Sequence, residues 1–239
     1  SLANEDKLLV HFPWNNDHES WPHIHDMYEV ECNYMLLIDN LMDLTHIPYI
    51  HGNTIGGGDQ RGQVDATMDV TPRETGVHYM RWMEKIVPPP TYVKGAGFKD
   101  GTLVDRWQEF EYIVPSTVVQ WVGALEEGRG ARENRNQPGG FNIRIYHGVT
   151  PKTESSCYYF WTPLNGYKPK EEKATQLLHK EIAFTFNEDI EFLESQQSCM
   201  AGTLDQIFVN TKHDSARIQA RRAIERMINK ETKNQLAAE

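Results

Sequence analysis

The stretch from Asn33 to Gly58, NYMLLIDNLMDLTHIPYIHGNTIGGG, constrains the fold more than any other part of the chain. Leu36, Leu37, Leu41 and Leu44 recur at helical spacing and predict a helix built for burial. At about 100° per residue, Asp39, Asp43 and His46 fall within an arc of roughly 60° on that same helix. Ionisable groups on a buried face cost several kcal/mol unless they are paired, hydrogen-bonded or bound to a metal. The polar stripe therefore needs a partner, and a metal ion is the simplest candidate.

His51 refines this expectation. It lies five residues after His46, which on a straight helix would splay the two imidazoles by about 140°. Pro48 lacks an N–H and crowds the preceding turn, so a kink or helix end is predicted near Thr45 to Ile47, letting His51 swing back towards His46. Two imidazoles and one carboxylate from elsewhere make the facial set that holds Fe(II) with open positions. The stretch FNEDIEFLESQQSCM supplies that carboxylate. Wound as a helix, it buries Phe186, Ile190, Leu193, Gln197 and Met200, with Asp189 at the edge of the arc and Glu188, Glu191 and Glu194 pointing away.

Composition narrows the partners. The chain has 239 residues and a formal net charge of -10, enough for a sizeable core and unfavourable for nucleic acid or an anionic membrane. No apolar run reaches the roughly 20 residues of a membrane helix, and SLANEDKLLV has no signal-peptide pattern. Three widely spaced cysteines, Cys32, Cys157 and Cys199, fit reduced thiols in a cytoplasmic protein and cannot build a metal site alone.

The remaining chain reads as strands followed by helices. Val64 to Val70 and Val77 to Arg81 alternate around a turn, predicting a hairpin. Thr102 to Val114, Thr117 to Leu125, Phe141 to Val149 and Cys157 to Thr162 add strand-like runs, giving an antiparallel sheet of about six or seven strands. Pro88, Pro89 and Pro90 form a stiff connector. GRGARENRNQPGG, residues 128–140, is expected to be a mobile surface loop. Gly56 to Gly62 has neither the preceding strand nor the lysine of a phosphate loop. Lys170 to Met200 and Asp214 to Lys233 are helical, the latter with Ile218, Ile224, Met227 and Ile228 on one side. His18, His23 and His25 sit in an aromatic opening segment that reads as a connecting arm over residues 1–30 more simply than as a second metal site. The sum is an α+β domain whose sheet wraps around a long C-terminal helix, with a ligand hollow between them.

The string NLMDLTHIPYIH matches the Asn-x-x-Asp-x-x-His-x-x-x-x-His iron motif and resembles the Rieske non-haem iron oxygenases. Its flanks, CNYMLLIDNLMDL, and the later segments VPPPTYVKGAGF, IYHGVTPKTESSCYYF and NEDIEFLESQQ are similar to the subgroup containing vanillate O-demethylase and dicamba monooxygenase. The resemblance implies the helix-grip fold, with Fe(II) held by His46, His51 and Asp189. It implies that Asp43 hydrogen-bonds His46 and bridges to a Rieske histidine of an adjacent subunit in a homotrimer, and that Asn40 lines the iron pocket. It also implies substrate contacts from His147 and Gln120, while the subgroup's aromatic contact is replaced near His179 or Lys180. A Rieske [2Fe–2S] cluster needs two Cys and two His. The paired motifs for it do not occur here, so the cluster is expected on an N-terminal domain absent from this chain. The implied reaction is O2-dependent monooxygenation or O-demethylation of an aromatic compound, fed with electrons from NAD(P)H through a reductase or ferredoxin. A ring-hydroxylating dioxygenase is the near alternative. A metal-free helix-grip binding module and a zinc hydrolase lie further off.

Overall fold

In a computed structural model, residues 10–201 and 210–236 are described; the first nine residues of the expected arm lie outside them. Seven strands form one antiparallel sheet: β1 (Asp26–Val30), β2 (Thr67–Arg73), β3 (Gly76–Ile86), β4 (Val104–Ile113), β5 (Thr117–Glu126), β6 (Phe141–Pro151) and β7 (Cys157–Asn165). Their order is β1-β7-β6-β5-β4-β3-β2, so six successive strands meander and the first closes on the far edge. Within the segment expected as an arm, Asp26–Val30 are instead an edge strand. DMYEV alternates like the other strands and completes the otherwise open edge of β7, pairing Tyr28 with Tyr159.

Period-two alternation sets what faces the interior. Along β4 the inward series is Val104, Arg106, Gln108, Phe110 and Tyr112, all buried. Along β6 it is Phe141, Ile143, Ile145, His147 and Val149. Helix α1 (Tyr34–Met42) is started by Asn33, whose side chain accepts the Met35 N–H, and it buries Leu36, Leu37, Ile38, Leu41 and Met42. Helix α2 (Ile47–Ile50) and helix α3 (Gln60–Val64) follow. Pro90 opens helix α4 (Pro90–Ala96), so the proline connector stays extended only as far as Pro89.

The long helix α5 (Glu172–Ala201) packs on β7 with Leu178, Ile182, Phe186, Asp189 and Leu193 buried. Helix α6 (Ser215–Leu236) packs on α1 and β3. Its buried stripe is Ala216, Ala220, Ala223 and Ile224, whereas Ile228, expected inside, is exposed. Small alanines let this helix lie close to α1, and Ile228 turns outward while Ile224 stays buried.

The loop 128–140, expected to be mobile, is fastened to the outer sheet face. Arg135 donates to Glu109 Oε2 at 2.6 Å and stacks 3.8 Å from the Trp121 ring, Arg132 bonds Glu84 and covers Trp82, and Ala131 is buried. Each arginine uses its apolar stem and flat guanidinium on an aromatic ring, which polarity counts alone do not register.

Candidate metal centre

The centre begins where α1 stops. Asp43 turns extended, with φ −124° and ψ 105°, and its Oδ1 accepts from the backbone N–H and hydroxyl of Thr45 at 2.9 and 2.7 Å. The chain then enters α2 with Pro48 in the first turn, where a missing N–H costs nothing. Pro48 thus starts a new helix instead of kinking the old one, and the break lies at Asp43 to Thr45. His46 caps the beginning of α2 and His51 its end. This short turn brings their ring centroids to 5.3 Å. The glycine-rich stretch behind it permits close backbone packing: Gly56 N–H donates to His51 O at 2.8 Å, and a Cβ at Gly56 would meet Ile47 O at 1.9 Å.

Asp189 comes up from α5 to meet both imidazoles. Its Oδ1 lies 3.4 Å from His46 Nε2 and 3.1 Å from His51 Nε2, and one ligand atom from each of the three residues lies within 4.8 Å of the others. Ligands at about 2.1 Å from one ion and about 90° apart stand about 3 Å from each other, so this donor set fits a divalent metal with little adjustment. Two imidazoles and a carboxylate are also the ligand types of a non-haem iron centre with open positions. Among the described residues it is the only such cluster of three. His23 and His25 are occupied instead by Trp21 O and the Thr162 hydroxyl.

The surroundings hold the three donors in place. Asn40 Nδ2 donates to Asp189 Oδ1 at 3.0 Å. His51 Nδ1 donates to Glu188 Oε2 at 2.8 Å, which turns its Nε2 edge towards Asp189. The expectation that Glu188 points to solvent is thus corrected: the end of α2 approaches the helix α5 from the side on which Glu188 stands. Burial disfavours the Asp189 charge, but hydrogen bonds and charge from His46 and His51 outweigh it and hold the carboxyl well below its ordinary range. Burial likewise disfavours a charged His51, and Asp189 with Glu188 outweighs it, raising that pKa.

Two further expectations change. The Asp43 carboxylate caps Thr45 and makes no hydrogen bond with His46, because the helix ends between them. Asp39, the third member of the predicted stripe, is taken by Arg221 of α6, which donates Nε to Oδ1 at 2.9 Å and Nη2 to Oδ2 at 2.5 Å. The polar stripe therefore splits three ways, to an arginine, a turn and the centre.

Towards the sheet, His147 is fully buried between Tyr159 and Gln120. Tyr159 O–H donates to Nδ1 at 2.7 Å and Nε2–H donates to Gln120 Oε1 at 2.8 Å. Burial drives the His147 pKa down to about 3, so the ring is neutral. Gln120 faces the interior and lines a cavity of about 30 Å³ with Arg106, Gln108, Thr91 and Phe186. His179 stands outside that cavity, stacked 5.0 Å from Trp161 and 3.2 Å from Asp26. Sequence reasoning missed Glu188, Tyr159 and Arg106. An arginine on the apolar parity of β4 was a readable signal; the Glu188 contact depends on how α2 meets α5 and was not. On the other side of the centre, an open depression of about 470 Å³ is lined by Asn40, Asp43, His46, Phe192 and Arg217.

Comparison with known proteins adds lineage to this geometry. Residues 30–230 match the family described as the vanillate O-demethylase oxygenase C-terminal domain. The chain is 32% identical over 229 residues to a vanillate O-demethylase oxygenase subunit of Pseudomonas sp. (strain ATCC 19151), covering 94% of this chain and 68% of that protein. It is 30% identical over 224 residues to the corresponding subunit of Pseudomonas sp. (strain HR199 / DSM 7063), covering 92% of this chain and 62% of that one. A crystal structure of dicamba monooxygenase bound to 3,6-dichlorosalicylic acid shares the fold, with a TM-score of 0.82 at 22% identity, covering 95% of this chain and 64% of that one. The chain thus spans about two thirds of the length of these proteins. A match over most of the sequence, a relative at 32% identity and the common fold agree: this chain belongs to the vanillate O-demethylase oxygenase C-terminal domain family.

Proposed function

We propose that the chain is the catalytic part of the terminal oxygenase of a Rieske-type system, acting on a small aromatic substrate by monooxygenation or O-demethylation. The observation that carries this reading is the convergence of His46, His51 and Asp189 at one point beside α5. Relatives named as vanillate O-demethylase subunits support the substrate class. Fe(II) held by these three residues supplies the activation of O2.

The chain's own groups do the rest. Asp189 stays ionised at any working pH and balances the metal charge. Glu188 fixes the His51 tautomer, and Asn40 steadies the Asp189 oxygen. Phe186 and Ile182 keep the inner side dry, so water is excluded from the substrate's reacting end. Neutral His147 and Gln120 form one hydrogen-bonded wall for that substrate. Electrons start at NAD(P)H, pass through a reductase or ferredoxin to a Rieske [2Fe–2S] domain outside these residues, and reach the centre from the side of Asp43 across a homotrimer contact. Asp43 serves there by its position beside His46, with its carboxylate held by Thr45. The working compartment in this reading is the cytoplasm; no helix among the described residues is long and apolar enough to cross a membrane.

Metal analysis of protein purified under nitrogen tests the proposal. The expected result is one iron per chain, lost in Asp189→Ala. With a Rieske partner and reductase added, a methoxylated aromatic should yield formaldehyde in an O2-dependent manner. Iron equally retained in Asp189→Ala, or turnover without O2, overturns it.

A further inference from the structure

We propose that Arg81 is a positioning residue for the metal centre, its guanidinium fork holding both ends of the turn that carries His46 and His51. The inference rests on the reading of His46, His51 and Asp189 as metal ligands and names what keeps the two imidazoles in register.

The two histidines stand on backbone that no helix secures from end to end. Helix α1 stops at Met42, and Leu44 lies buried in the break before α2. Helical spacing would give the Leu44 carbonyl the N–H of residue 48, but Pro48 has none. A buried carbonyl left in this way needs a donor from elsewhere. After His51 the chain runs through the glycine-rich stretch into α3, so the other end of the turn also depends on contacts from outside α2.

Arg81 supplies the missing donor. It stands on the inward parity of β3 between Tyr79 and Met83 and is 2% exposed. Directly opposite on β4 is Gln108, whose Oε1 accepts from Nη1 at 3.1 Å and fixes the guanidinium plane. Nη1 also donates to Leu44 O at 3.0 Å, two residues before His46. Nη2 donates to Gln63 O on α3 at 2.5 Å. Gln63 carries this second arm onward: its Nε2 donates to Gly56 O at 2.6 Å, and the Gly56 N–H donates to His51 O at 2.8 Å. One cation on the sheet thus reaches the chain on either side of α2, directly before His46 and through Gln63 and Gly56 behind His51.

The chemistry of the side chain suits the task. A guanidinium offers its donors in a rigid planar fork, whereas an ammonium is a single point on a flexible stem. A regular strand also holds a supporting group more precisely than a loop does. The charge is costly at this place: burial lowers the Arg81 pKa, and all three hydrogen-bond acceptors are neutral. What offsets that cost is the pair of segments the fork ties together.

The test is cobalt(II) binding to the full chain, read by calorimetry and by the cobalt absorption spectrum, beside thermal melting of the metal-free protein. Arg81→Lys keeps the charge and loses the fork; it should weaken cobalt(II) binding about 10–100-fold, as loss of a group that orients a metal ligand does, and alter the spectrum. Gln63→Met cuts only the arm towards His51, so it should weaken binding less than Arg81→Lys while still altering the spectrum. An arginine that merely stabilised the fold would lower the melting temperature and leave the cobalt(II) affinity and spectrum of the folded protein as in wild type. That outcome in either folded variant overturns the proposal, and Gln63→Met decides if Arg81→Lys does not fold. A wild-type chain that binds no cobalt(II) overturns the metal-centre reading and this inference with it, whereas wild-type binding matched by the variants overturns this inference alone.

Discussion

His46 and His51 present the same atom to the same carboxylate oxygen, at 3.4 and 3.1 Å, yet they belong to different environments. The His46 side chain is 20% exposed and borders the open depression with Asp43, Phe192 and Arg217. The His51 side chain is 1% exposed, clamped by Glu188, and belongs to the interior. The difference teaches that this centre is a boundary. One side is wet and open enough for another protein surface; the other is closed to all but a small molecule that replaces packed side chains.

Asp189 is the one group both sides share, so its loss has the largest effect. Asp189→Ala should abolish stoichiometric iron by metal analysis, and with it the distinction between the two histidines. A smaller change separates them. Glu188→Gln leaves His51 a partner without charge and should weaken iron about 10–100-fold, as loss of a ligand-orienting partner commonly does. Asp43→Asn should leave iron affinity unchanged and lower only turnover with a Rieske partner. Equal effects of the two on iron affinity, measured by competition with a chelator, would erase the asymmetry.

The dry side also carries a pH signature. An unfolded histidine takes up a proton below its ordinary 6.5, whereas folded His147 does so only near 3. Between those values the unfolded chain binds the extra proton, so acid favours unfolding, and stability falls as pH drops through that window. The contribution is about 1.4 kcal/mol per pH unit. His147→Gln should flatten denaturant-measured stability between about pH 6.5 and pH 5.5 by about 1 kcal/mol relative to wild type, less than the full slope because the window starts at the unfolded pKa. An unchanged slope would mean that His147 is reached by water.

What the sequence disclosed, and what it withheld, divides along the same boundary. Strands β2 to β7, the long helices and the choice of the three donors follow from periods of 2 and 3.6 and from a proline between two histidines, all local properties, whereas β1 and the short helices α2 to α4 escaped that reading. The partners of those donors do not follow from these periods. Asp39 and Asp43 looked equivalent on a helical wheel, but Asp43 lies one residue past the helix end and Asp39 faces Arg221, which is 182 residues away. Glu188 and Asp189 were separated by about 100° on their own helix, and the wheel says nothing of a second element arriving from the side of Glu188. Arg106 was legible by parity alone, since it shares a strand face with Val104, Phe110 and Tyr112.

The wet side supplies the smallest effect. Phe192 lies on the same helix as Phe186, but it is 57% exposed where Phe186 is 7% exposed. Phe186 fills the inner wall, while Phe192 projects into the outer depression and contributes little burial to the isolated chain. Phe192→Asp should therefore change the stability of the chain by no more than about 0.5 kcal/mol and leave its iron content intact. Its consequence should be confined to encounters on that face: weaker association between copies by sedimentation, and slower electron delivery from a Rieske partner. If Phe192→Asp lowers thermal stability as much as a buried substitution does, the outer depression is part of the core, and the two histidines differ in degree only.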